Sequence, residues 1–312
     1  MIYDHMTSWQ QLPVNLYDEE RSNSPVTAGQ VANVCFRLAV DGYGSDLTFA
    51  ELFERFVSNP AVAETEALVI GAWGDTQEGS EEVVRLLAGA HKSLPKLKSL
   101  FLGDIIGEEC ELSWIVQSDL GPLFTAWPGL EHFGVRGSGG LDFGGPLRMA
   151  SLQTLIVETG GMPLNIFRQA TEGDLPALQH LELWLGTENY GGEVRAAHLT
   201  ELLSGKKFPA LVHLGLRNSD VQDGVAIAVA KSPLLERIKS LDLSMGTLGD
   251  DGGQALLDSP EARRLEALDL HYHYMSDEMV EKLQAAFPFA NLDRGDAEED
   301  ADPDDRYVAV GE

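Results

Sequence analysis

The chain has 312 residues, 44% of them hydrophobic, and a formal net charge of −28 from 50 acidic and 22 basic residues. That length and composition can build a substantial folded core, whereas the charge argues against non-specific attachment to nucleic acid or an anionic membrane, which would repel it at long range. A protein partner with a basic or polar surface fits better, and an acidic surface also serves solubility.

Residues 1–32 carry Asp4, Asp18, Glu19 and Glu20 and hold no unbroken apolar run, so they read as an N-terminal cap segment rather than a secretory leader. Two weak copies of an apolar pattern follow, Asn33-Val-Cys-Phe36-Arg-Leu38 and Thr65-Glu-Ala-Leu68-Val-Ile70, each succeeded by a helix-like amphipathic stretch at 47–57 and 81–90. Seven strong copies of L-x-x-L-x-L then run from Leu97-Lys-Ser-Leu100-Phe-Leu102 through segments beginning at Leu130, Leu152, Leu178, Leu211, Ile238 and Leu265, with a truncated copy at Phe289-Ala-Asn-Leu292. Helix-like stretches at 120–126, 164–170, 194–203, 221–230, 253–257 and 277–287 separate them, several closed by a proline just before the next strand, as at Pro128, Pro176 and Pro209. The exception is the Gly-rich loop 137–145, which shortens its unit to 22 residues, the distance from Leu130 to Leu152. No window approaches the roughly 18 apolar residues of a membrane span, and a cytoplasmic protein is expected. Residues 295–312 are expected to be an acidic loop ending in a capping strand at 307–310, where Tyr307-Val-Ala-Val310 would cover the last sheet edge.

Strand and helix alternating at a recurring period predict a right-handed coil, with a parallel sheet lining the inside of the curve and helices outside. A doubly wound α/β domain would instead show uninterrupted buried strands and a Gly-rich turn after the first. The units resemble leucine-rich repeats of the ribonuclease-inhibitor-like type, most clearly in Leu241-Asp-Leu243-Ser-Met-Gly-Thr-Leu248-Gly-Asp250-Asp-Gly252. The whole chain resembles an uncharacterised bacterial, mainly actinobacterial, leucine-rich-repeat family that begins with Leu12-Pro13-Val14 and ends in an acidic run followed by 306–310. The resemblance implies an α/β horseshoe solenoid over 33–294 and, because members are encoded beside radical-SAM-like and sulfatase-like enzymes, an accessory role in a modification or biosynthetic pathway. One departure is the ninth repeat position, where Asn or Cys is usual. It is occupied here by Trp73, Ile105, Ser138, Gly160, Gly186, Ser219, Gly246 and His273, so the asparagine ladder is missing.

Alternation along a strand sends repeat positions four and six into the core and positions three, five and seven onto the concave face. Four of the eight histidines, His132, His180, His213 and His271, fall on those 27 positions, where uniform scatter would place about 0.7. With neighbouring strands roughly 4.8 Å apart, His180 should lie beside His213, with Glu182 near and Trp184 beside Arg217. The expected docking surface for a protein partner is His132, Arg136, Glu158, His180, Glu182, Trp184, His213, Arg217, Asp242, Asp269 and His271, since Trp and Arg anchor interfaces. The alternative makes His180, Glu182 and His213 a divalent-metal site or an acid/base cluster. Flat strands splay their side chains, however, so the docking reading is taken, with no enzyme activity, catalytic residue, metal or cofactor assigned. Asp242, Asp269 and His271 read as a docking spot for a basic side chain rather than a general acid/base set. His271-Tyr-His273-Tyr274 reads as packing near the C-terminal cap, because alternate residues face opposite ways. Cys35 and Cys110 read as reduced thiols.

Overall fold

A computed structural model of the chain describes residues 2–18, 26–31, 33–40, 46–297, 302 and 305–311. It is an α/β leucine-rich-repeat solenoid, and its contacts divide it into two compact units, Met1–Leu155 and Ile156–Gly311. The strands begin at the third position of the predicted pattern in every repeat from residue 33 onward: β3 (Cys35–Val40), β4 (Ala67–Trp73), β5 (Ser99–Leu102), β6 (His132–Arg136), β7 (Thr154–Glu158), β8 (His180–Gly186), β9 (His213–Ser219), β10 (Ser240–Asp242) and β11 (Ala267–Asp269).

In the first unit an antiparallel hairpin, β1 (Ser8–Trp9) and β2 (Leu12–Tyr17), turns through Gln10 and Gln11 at φ of 47° and 65°. β2 lies parallel to β3, and β4, β5 and β6 follow in chain order, all parallel. The helix Phe49–Val57 buries Phe49, Leu52, Phe53 and Phe56, the i, i+3, i+4, i+7 stripe of an amphipathic helix. Thr48 and Glu51 close its N-terminus with a capping box, which satisfies two backbone N–H groups that would otherwise lack partners. Phe56 meets Tyr17 and Phe36 edge to face, with ring centroids 5.1 and 5.3 Å away. The helices Glu81–Gly89 and Gly121–Ala126 follow β4 and β5, the former burying Val83, Val84 and Leu87 and the latter Leu123.

In the second unit β8, β9, β10 and β11 pair in parallel and in chain order. Register aligns Leu181, Leu214, Leu241 and Leu268 as one buried row, each contributing about 1.5–3 kcal/mol by removal from water. Helices Leu164–Thr171, Thr200–Leu203, Gln222–Ala230, Asp250–Asp258 and Asp277–Ala286 connect the strands. Position eight takes up left-handed backbone in the last three repeats, at Asn218, Met245 and Tyr272, with φ of 55°, 67° and 56°.

The capping strand expected at 307–310 is not formed. The edge of β11 is already taken by the truncated repeat, through a parallel bridge between Asp269 and Asn291, so no free ladder is left for the tail. Residues 305–311 return instead across the turns that follow β9, β10 and β11. There Ala309 N–H donates to Met245 O (2.9 Å), Asn218 holds the backbone N–H and C=O of Val310 through both ends of its amide, and Tyr274 Oη donates to Tyr307 O (3.0 Å). Tyr272 and Tyr274 pack edge to face with centroids 6.0 Å apart, and His273 is buried. Most of the acidic run 296–305 lies outside the described residues.

Candidate functional site

The two units treat the open face of their sheets differently. In the first, Arg37 and Arg136 on the open-face rows are buried by their own neighbours. Arg37, at row five of β3, lies flat over Gly71, whose added Cβ would sit 2.6 Å from Nη2, and reaches the loop after β5. There its Nε pairs with Asp104 Oδ2 at 2.7 Å and its Nη2 donates to Asp104 O at 2.7 Å. Arg136 donates from Nη1 to Ile105 O at 2.6 Å and stands 3.8 Å from Asp104 Oδ1. His5 approaches the same carboxylate at 3.6 Å, and Met6 N–H donates to it at 3.2 Å. Asp104 is 0% exposed, Arg136 4% and Arg37 5%. Burial pushes the Asp104 carboxyl up, but His5, Arg37 and Arg136 outweigh it and hold the group below the usual carboxylate range. Beside this cluster Phe101 covers Gly134, and Trp9 of the hairpin packs edge-on against Phe101 at 5.3 Å. Arg136 is therefore committed to the interior. His132 is half-buried, its Nδ1 2.9 Å from Thr154 Oγ1.

Sequence reasoning missed Asp104 and, of its partners, His5 and Arg37, while Arg136 was expected on the docking surface. A signal was present: a single Arg at row five followed by Val69 and Phe101, next to glycines at row seven in two successive repeats, Gly71 and Gly103. Small residues there leave room for a long side chain to lie across the sheet.

In the second unit register sets His180 beside His213 and Trp184 beside Arg217. The imidazoles stack with centroids 4.0 Å apart and planes 8° from parallel. Glu182 lies two residues beyond His180 on the same side of β8. Its Oε1 accepts from Trp184 Nε1 (2.8 Å) and Arg217 Nη1 (2.7 Å), while Oε2 stands 3.6 Å from His180 Nε2. Arg217 also pairs through Nε with Asp242 Oδ2 (3.2 Å) and Ser244 Oγ (3.0 Å), and lies over the Trp184 ring at 5.3 Å. His213 Nδ1 meets Ser240 Oγ at 2.9 Å. Asp269 Oδ1 holds His271 by backbone N–H (3.0 Å) and by Nδ1 (2.8 Å).

Exposure then sorts the predicted residues. Trp184 is 6% exposed, and Glu158, Glu182 and Asp242 are buried with it, so they brace the face rather than present it. His180, His213, Arg217, Asp269 and His271 are half-buried, Ser240 between them likewise, and Ala267 is exposed. Burial pushes the Glu182 carboxyl up, but His180, Arg217 and the Trp184 hydrogen bond prevail and keep it far below the usual range. Burial also keeps the neighbouring Asp242 carboxyl raised, against the pull of Arg217.

Burial, reinforced by His180 alongside, lowers the His213 pKa from 6.5 to about 4. The ring stays neutral in the fold over a pH range where the unfolded chain protonates it, so its contribution is complete above pH about 6.5 and lost as pH falls toward 4. Compared with His213→Gln, the wild type should lose about 2 kcal/mol more stability between pH 7 and 4.5, a figure discounted for partial exposure. Urea midpoints at the two pH values measure this; parallel slopes for the two proteins would refute it.

No family model matches the chain, and no curated protein does. Among solved structures it is similar to a Bacteroides fragilis protein determined by structural genomics, with 29% identity and a TM-score of 0.76 over 84% of this chain and 73% of that one. A match to an internalin from Listeria monocytogenes covers 86% of this chain and 83% of that one at 13% identity, with a TM-score of 0.34. Among the described residues no helix is long and apolar enough to cross a membrane.

Proposed function

We propose that the protein is a non-catalytic interaction scaffold that docks a protein partner on the open sheet face of its second unit. The observation that carries this reading is the contrast between the two faces. The first is filled by Arg37, Phe101, Trp9 and Arg136, whereas the second presents His180, His213, Ser240, Ala267, Arg217, Asp269 and His271 on a rigid ladder. Polar side chains held by braced neighbours lose little freedom when a partner arrives, which favours binding. Trp184, Glu182 and Asp242 act from below by fixing Arg217. The acidic balance of the chain favours a partner with a basic contact surface. The resemblance to bacterial leucine-rich-repeat proteins supports an accessory role beside enzymes of a modification or biosynthetic pathway.

The test is quantitative affinity purification from the native host with tagged wild type, an Ala267→Arg/His271→Ala variant, and a Lys96→Glu control on an exposed lysine outside this face. A partner retained by wild type and control and depleted at least tenfold by the double variant is the expected result. Equal recovery by all three proteins would place the contact elsewhere.

A further inference from the structure

We propose that His180, Glu182 and His213 form a binding site for one divalent metal ion of the nitrogen-preferring class typified by zinc. This goes beyond the docking function and does not depend on it. One ligand atom from each residue, two imidazole nitrogens and a carboxylate oxygen, lies within 4.8 Å of the other two. Parallel pairing of β8 and β9 places the two histidines side by side, and the two-residue period of β8 returns Glu182 to the same face.

The remaining polar atoms of two of these groups are already engaged, which orients the free ones. Ser240 Oγ holds Nδ1 of His213 at 2.9 Å, and Trp184 and Arg217 hold Oε1 of Glu182 at 2.8 and 2.7 Å. What is left on those two groups is Nε2 of His213 and Oε2 of the glutamate, and His180 brings its Nε2 to 3.6 Å from that oxygen. Fixing one atom of a ligand so that the other is presented is how outer hydrogen bonds prepare metal ligands. Both Nε2 atoms are buried and, among the described residues, neither has a hydrogen-bond partner. A polar atom buried in that way is unfavourable, and coordination of a single cation would satisfy both.

Charge selects a cation over an anion. Arg217 feels the three carboxylates of Glu182, Asp242 and Glu158, so the local sum of these four groups is 1 − 3 = −2. Donor chemistry selects the class: calcium and magnesium call for oxygen ligands, whereas two imidazoles and a carboxylate suit zinc and leave a fourth position for solvent. The stacked rings set their lone pairs side by side, and binding requires each ring to turn about χ2, a soft torsion, to bring nitrogens to about 2.1 Å from one ion. The partial exposure of the His180 side chain, 33%, provides the entry route.

The experiment is calorimetric titration of the EDTA-treated full chain with zinc chloride alone, with cobalt(II) absorption as a second readout. One equivalent of zinc should bind wild type and His91→Ala alike. His180→Asn and His213→Asn should each bind at least about 100-fold more weakly, and Ser240→Ala about 10-fold more weakly, as loss of an outer hydrogen bond does. Circular dichroism reports whether each variant folds. If the histidine variants fail to fold, the wild-type cobalt spectrum decides: tetrahedral bands without thiolate charge transfer support the site, and a thiolate band overturns it. Absence of stoichiometric binding by wild type, or undiminished binding by a folded His180→Asn/His213→Asn protein, also overturns the proposal.

Discussion

Asp104→Ala should destabilise the protein by about 3–5 kcal/mol, read as a shifted urea midpoint, because it removes the buried carboxylate that the buried Arg37 and Arg136 share. Arg37 would lose its 2.7 Å pairing and Arg136 a carboxylate 3.8 Å away, and neither is exposed enough to turn to water. A shift below about 1 kcal/mol for Asp104→Ala would show that water solvates the cluster.

A comparably large loss is expected for Gly186→Ala. Gly186 ends β8 at φ of 66°, and a Cβ there would stand 2.0 Å from Gly160 O and 2.4 Å from Gly161 N. The close approach is built in: Gly161 bridges Gly186, and Thr187 N–H donates to Gly160 O at 2.8 Å. Backbone atoms cannot swing aside as a flexible side chain would, so the turn must open, at a cost of about 3 kcal/mol or more. Gly191→Ala supplies the control, since its φ of 88° is equally left-handed but nothing lies within 4 Å of the added atom. That variant should lose only about 1 kcal/mol. Equal losses at the two sites would show that strain, not collision, governs this turn.

The repeat was legible because its signal is redundant. A leucine at positions four and six recurs in copy after copy, and strand period alone sends both inward, so each strand start and the pairing of His180 with His213 followed by counting. Helix positions followed from apolar spacing for the same reason. Burial of the face itself was not legible. Periodicity says which side of a sheet a residue takes and which residue lies beside it, but not how far the neighbours close over it, and Arg136 and Trp184 are both buried. Asp104 sits just past the end of β5, outside the rows, and becomes central only because Arg37 crosses toward it. The tail was misread for a similar reason. Alternating apolar residues at 307–310 suit a strand, but pairing needs an open edge, and Asn291 had already taken it.

The returning tail also changes how the second unit comes apart. Repeat arrays are held by contacts between neighbours and ordinarily fray from their ends inward. Residues 305–311 bond instead to Tyr274, Met245 and Asn218, one turn in each of the last three repeats. Fraying of the outermost repeat is thus latched to the repeat two places inside it. Amide exchange over β9, β10 and β11 should then show one concerted opening, and cutting the latch with Asn218→Ala should restore the progressive unravelling of an ordinary stack.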